Sequence, residues 1–147
     1  MSPQLDPHLA VLLVEDNPAD VVFLREAFQA SGLKATLHVV DNGQDALDFL
    51  RRQGAHTQAP RPDVMVLDLN LPIKTGGEVM DEMIAEPHLA SLPVVILSTS
   101  TSESYLCDRY PGGKCLYFTK TDEFGKLCQI VRKISEHARA PRTEVTE

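Results

Sequence analysis

The chain has 147 residues, 43% hydrophobic and 24% charged, with a net charge of −7. That composition describes one globular domain able to bury its own core. The acidic balance argues against nucleic acid as a partner, because affinity for phosphate backbones comes from Lys and Arg. No apolar run approaches the about 18 residues of a membrane span.

The N-terminal stretch "MSPQLDPH" lacks the basic and apolar regions of a signal peptide, so the cytoplasm is the expected compartment, with no membrane partner. The cysteines, Cys107, Cys115 and Cys128, are odd in number and include no Cys-x-x-Cys pair. They are expected to act as small buried hydrophobes in a reducing environment. The five histidines show no metal-ligand spacing.

"LAVLLV" (9–14) reads as a strand. A helix follows in "NPADVVFLREAFQASG", with Asn17 as N-cap, Pro18 at the first helical position and Ser31-Gly32 as the stop. Its inner face carries Val21, Leu24 and Phe28. "ATLHVV" (35–40) is a second strand, and Asp41-Asn42-Gly43 turns into a short helix bearing Ala46, Leu47 and Leu50. Residues 52–62 hold two prolines and no periodicity, which predicts a long loop.

The run Val64–Leu67 is continuously apolar, the pattern of a strand buried on both faces. It leads through a loop containing Pro72 into a helix from about Gly77 to Glu86. "PVVILS" (93–98) is a fourth strand, "SESYLCDRY" a weak helix ended by "PGG" (111–113), and "CLYFT" (115–119) a fifth strand. The last helix, 123–138, spaces Phe124, Leu127, Ile130, Val131 and Ile134 for one face. The alternation predicts an α/β fold, a doubly wound (βα)5 parallel sheet of five strands covered on both faces; a flavodoxin-like sheet takes the strand order 2-1-3-4-5.

Parallel sheets of this kind bind ligands at the carboxyl ends of their strands. Here the first strand ends in Glu15-Asp16, the third in Asp68, the fourth in Ser98 and the fifth in Lys120. Those four strands are neighbours in the predicted order, and the second, which ends in turn residues, is an outer edge. Clustered carboxylates repel one another unless a cation joins them. An all-oxygen set from Glu15, Asp16 and Asp68, with the backbone carbonyl of Asn70, suits a hard ion, Mg²⁺ or Mn²⁺ in its place. One carboxylate could then attack phosphorus to give an aspartyl phosphate, with Lys120 and the Ser98 hydroxyl meeting the charge on the phosphoryl oxygens. Taken one at a time, these residues have plainer readings, as helix N-terminal charges, an N-cap and a solvated lysine.

As a set, "VLLVEDN", "VLDLNLP", "PVVILS" and "YFTK" resemble the receiver domain of two-component response regulators, over about Ala10 to Ala138. The intervals of 30 residues from Asp68 to Ser98 and 22 from Ser98 to Lys120 suit that family. "LLVEDNPADVVFLREAF" is similar to the stand-alone regulators of bacterial phytochrome histidine kinases. The resemblance implies a receiver domain at 9–138, an N-terminal extension at 1–8 and a flexible tail at 139–147. It further implies a Mg²⁺-dependent transfer of a phosphoryl group from a sensor histidine kinase, phytochrome-type, onto Asp68. Ser98 and Tyr117 would then switch a face made by the fourth helix, fifth strand and fifth helix, and a homodimer through that face is expected. In the usual sense such a protein is not an enzyme.

Two features depart from the family pattern. Thr121 stands where the family usually has proline in a cis peptide. A cis bond without proline costs roughly 3–4 kcal/mol, so either a trans bond or a strained cis bond is expected. The other departure is the long 52–62 loop. The rival readings are an unphosphorylated adaptor, or a haloacid-dehalogenase-type phosphohydrolase, which would want a second aspartate where Asn70 stands.

Overall fold

Each strand is apolar because of where it lies in the sheet. In the computed structural model, which describes residues 8–140, β1 (Leu9–Val14), β2 (Ala35–Val40), β3 (Val64–Leu67), β4 (Val94–Ser98) and β5 (Cys115–Thr119) form one sheet. All neighbours are parallel, as the alternation predicts, in the flavodoxin-like order β2-β1-β3-β4-β5. The central β3 is at most 1% exposed at every residue, with Met65 and Leu67 packing on one face and Val64 and Val66 on the other. The edge strand β2 is only half-buried. The N-terminal extension, His8 aside, and most of the C-terminal tail lie outside the described residues.

Two layers of helices cover the sheet. On one face α1 (Pro18–Ala30) and α6 (Phe124–Arg139) place Leu24, Ala27, Phe28, Leu127, Val131 and Ile134 against Val11, Leu13, Val66 and Val95. The other face is covered by α2 (Gly43–Arg51), α3 (Gly76–Ile84), α4 (Pro87–Ala90) and α5 (Tyr105–Asp108). From these come Ala46, Leu47, Val79, Met80, Met83, Leu89 and Leu106, packed on Leu12, Val14, Met65, Leu67 and Ile96. The predicted Asn17 cap holds, its side chain accepting from the Ala19 amide at 2.9 Å, and the Asn42 side chain caps α2 by accepting from the Asp45 amide at 2.8 Å.

Several elements differ from expectation. The helix placed at 77–86 begins one residue earlier, fixed by a capping box in which Thr75 and Glu78 bond each other's backbone amides. It ends at Ile84, and Pro87, which has no amide hydrogen to continue the ladder, starts the separate turn α4. The predicted fourth and fifth helices are therefore α5 and α6. The first of these is a single turn, and the 52–62 loop contains a 3₁₀ turn at Gly54–His56. Phe124, predicted on the inner face of α6, is 40% exposed; at the helix start it packs at a tilt against Phe23, with ring centroids 5.7 Å apart.

The cysteines also correct the expectation. Cys107 and Cys115 are joined by a disulfide, while Cys128 is free and packs against the α1–α6 face. The turn at Pro111–Gly113, with Gly112 and Gly113 both at positive φ, reverses the chain between them and brings their Cα atoms to 5.1 Å. Sequence spacing alone hid that reversal. At the other departure, no cis peptide occurs among the described residues, so the Lys120–Thr121 bond is trans.

The β3–α3 loop fits tightly against its surroundings. The Lys74 amide donates to the Pro72 carbonyl at 2.7 Å, a turn that leaves Ile73 at φ 68° and 77% exposed. A Cβ at Gly76 would lie 2.7 Å from the carbonyl oxygen of Asp68, whereas one at Gly77 would meet nothing closer than 3.9 Å. Gly76→Ala is therefore expected to lower stability by about 1–3 kcal/mol through overpacking. Gly77→Ala should be neutral, or stabilising by up to about 1 kcal/mol through helix propensity. Urea unfolding of the two variants against the parent checks the pair.

Candidate functional site

Parallel pairing brings residues distant in sequence to one level. The last ladder partners, Val14 with Leu67 and Leu67 with Ile96, leave the residues that follow at the carboxyl rim of the sheet. The ladder continues one bond further: the Asp68 amide donates to the Val14 carbonyl at 3.1 Å and the Lys120 amide to the Ser98 carbonyl at 2.7 Å. At the same level the Glu15 amide donates to the Val40 carbonyl at 3.0 Å.

From β1 to β5 is three strand spacings, roughly 14 Å, so only a long side chain starting on β5 reaches the acids. Lys120 spans that gap. Its ammonium donates to Glu15 Oε1 at 2.8 Å, Asp20 Oδ2 at 2.8 Å and Asp68 Oδ2 at 3.3 Å. Oε2 of Glu15 accepts from the Asn17 amide at 3.1 Å, at the positive end of α1. Oδ1 of Asp68 accepts from the Asn70 amide at 3.2 Å, which ties Asn70 to the same loop. Asp16 is exposed and its carboxylate has no partner among the described residues.

Charge is therefore concentrated and incompletely balanced. Glu15 and Asp68 are each only 6% exposed. Burial pushes the Glu15 carboxyl above its ordinary value, opposed by the bond from Lys120 and aided by the charge of Asp68. Burial would lower the Lys120 ammonium, but its bonds to Asp20 and Glu15 and the charge of Asp68 outweigh this and hold it well above the ordinary range. One oxygen from each of Glu15, Asp16 and Asp68 lies within 4.8 Å of the others. Such an all-carboxylate, partly solvated set fits a hard divalent cation such as Mg²⁺ or Mn²⁺.

Ser98 and Tyr117 stand one step away. Ser98 is fully buried, and its Oγ accepts from the Ser100 amide at 3.2 Å rather than touching Asp68. The Tyr117 hydroxyl donates to the Ser100 carbonyl. Ser100 thus links the two predicted switch residues through its own backbone. Sequence reasoning missed Asp20. As a first-turn acid on α1 it reads as an ordinary helix N-terminal charge, and nothing in its spacing signals that Lys120 would reach it.

A family model, the response regulator receiver domain, matches residues 11–132. Among curated proteins, the response regulator Rcp1 of Synechocystis sp. is 37% identical over 134 residues, covering 91% of each chain. Among solved structures, that of the phosphorylated cyanobacterial phytochrome response regulator RcpA is 38% identical with a TM-score of 0.79, covering 91% of this chain and 96% of its own. The Mn²⁺-bound form of Rcp1 is 34% identical with a TM-score of 0.77, covering 94% and 99%.

Removing the Lys120 cation from the cluster tests its electrostatics. Lys120→Met is expected to destabilise the protein by roughly 2 kcal/mol, because three carboxylates lose a charged donor. Millimolar Mg²⁺ should restore part of that loss, read as the shift in urea midpoint with and without the ion. For Glu15 the folded-state pKa lies above its ordinary 4.5. Its contribution to stability is thus present below that value and lost as pH rises through the folded pKa. Glu15→Gln should therefore stabilise the metal-free protein at pH 7, with the gain disappearing near pH 4; thermal unfolding at the two pH values checks the sign.

Proposed function

Because this chain belongs to the response regulator receiver family, we propose that it takes a phosphoryl group onto Asp68 from a phosphohistidine of a sensor histidine kinase. The similarity to RcpA, a cyanobacterial phytochrome response regulator, supports a phytochrome-type photoreceptor as that kinase. The observation that carries the reading is the position of Asp68: a nearly buried carboxylate at a strand end, beside an acidic pair and within reach of Lys120.

In the transfer, a carboxylate oxygen of Asp68 forms a bond to phosphorus as the phosphorus–nitrogen bond of the donor breaks. The reaction is mainly positioning and charge neutralisation, which a preset site supplies without reorganisation. Glu15, Asp16, Asp68 and the Asn70 backbone carbonyl would hold Mg²⁺, which when bound offsets negative charge on the phosphoryl oxygens. Lys120 can turn from Glu15 and Asp20 toward the phosphoryl group without leaving the cluster, since all three of its acceptors lie within 3.3 Å.

Ser98 carries the signal onward. Its Oγ accepts from the Ser100 amide, so the hydroxyl proton is available for a phosphoryl oxygen. When Ser98 turns to make that bond, the Ser100 amide loses its acceptor. Ser100 is also the acceptor for Tyr117, so one local change reaches β5 and the segment leading to α5. The output is a changed α5–β5–α6 surface, open to a target protein or a second copy of the chain. Receiver domains are signalling proteins rather than classical enzymes.

Incubation with acetyl phosphate and Mg²⁺ should add one phosphoryl group by intact mass. The gain should vanish with a chelator and in Asp68→Asn. A phosphoryl group retained in Asp68→Asn, or none gained by the parent with the metal present, would overturn the assignment. Light scattering before and after phosphorylation tests pairing through the same surface.

A further inference from the structure

We infer that Cys107 and Cys115 are a redox-active pair, a modification site that fastens α5 to β5 when oxidised and frees it when reduced. The thiol chemistry stands independently; its effect on signalling rests on the receiver reading above.

The disulfide is not needed to build the domain. Both apolar layers are filled by buried aliphatic side chains from the helices and the sheet, and the bond closes a sequence separation of only 8 residues. A core of this kind folds without a staple, in contrast to small disulfide-dependent scaffolds. Both cysteines are half-buried at the margin of the apolar layer, not enclosed within it.

What the bond joins gives it its meaning. The start of β5 is already fixed: the Lys114 carbonyl accepts from the Val94 amide at 2.8 Å and lies 2.7 Å from Nε2 of His137 on α6. By contrast α5 is one turn, anchored by the buried Leu106 and, downstream, by Tyr110, whose hydroxyl donates to the Leu89 and Leu92 carbonyls. Cys115 and Tyr117 lie on the same face of β5, since side chains alternate along a strand, and both pack, like Cys107, against the same apolar layer. The segment from Ser100 to Cys115 is therefore held near Tyr117 at one end and by the disulfide at the other. Any displacement passed from Ser98 through Ser100 must run through this doubly tied segment.

Oxidation proceeds by exchange with a small-molecule disulfide. One cysteine thiolate attacks a sulfur of that molecule, expelling its other half as a thiolate. The second cysteine thiolate then attacks the mixed disulfide and releases the remaining half. The two electrons end on the external disulfide, which leaves as two thiols carrying the two protons. Excess external thiol drives the same steps in reverse.

The full chain is equilibrated in oxidised or reduced glutathione, denatured and treated with a maleimide. The oxidised protein should label only at Cys128 and, unlabelled, weigh about 2 Da less than the reduced form, which should label at all three cysteines. Backbone amide exchange over residues 101–110 should be roughly tenfold slower in the oxidised form. Cys107→Ser should exchange like the reduced parent in both buffers. Three labelled cysteines in both buffers, or equal exchange over 101–110 in a verified disulfide and dithiol, would overturn the inference. Acetyl phosphate should perturb exchange over 101–110 less in the oxidised form than in the reduced. A failure to phosphorylate in either redox state would count against the Asp68 reading, while the thiol count and unphosphorylated exchange still decide the redox pair.

Discussion

Four carboxylates, Glu15, Asp16, Asp20 and Asp68, share one end of the sheet, and Lys120 is the cation among them. Two like charges at the 4.8 Å limit of the acidic cluster repel by roughly 3 kcal/mol in a medium of effective dielectric 20. Burial of Glu15 and Asp68 adds a desolvation cost that exposure of Asp16 avoids. One lysine touching three acids compensates in part and leaves the cluster negative. A site in that state has an affinity for positive charge built into it before any partner arrives.

The parallel sheet makes such a concentration possible. Every strand runs the same way, so the residues at the strand ends emerge at one rim, and Glu15, Asp68 and Lys120 each extend the ladder by a backbone bond. The rim also receives the N-terminus of α1, whose Asn17 amide meets Glu15. Strand β2, at the edge, ends in Asp41 and Asn42, and the Asn42 side chain caps α2 instead of joining the cluster. Chemistry and structural capping are thus separated by strand order.

From the rim, coupling runs outward through few atoms. Ser98 is sealed in the core, and its hydroxyl meets the Ser100 amide, whose own carbonyl holds Tyr117. The connection beyond Ser100 is short of regular structure, with a single helical turn in α5. The backbone there is held by local turn bonds, from the Leu106 amide to Glu103, Cys107 to Ser104 and Tyr110 to Cys107, and not by a sheet ladder or a long helix, which suits a segment meant to respond. A disulfide across this segment adds a constraint that neither the core nor the acidic cluster supplies.

The sequence by itself determined the strands and the residues at each strand end. Those depend on local physics: apolar runs of strand length, helical spacing, and Asn or Pro at helix starts. Asp68, the Glu15-Asp16 pair, Ser98 and Lys120 were legible because each is a polar group at the carboxyl end of an apolar strand. Tertiary structure alone decided that Asp20 joins Lys120, since a first-turn acid looks the same whether or not a distant lysine arrives. It also decided the pairing of Cys107 with Cys115, which depends on a chain reversal at two left-handed glycines, and the trans Lys120–Thr121 bond. These are contacts between segments, fixed by where folded elements end, and no local pattern of side chains encodes the distance between them.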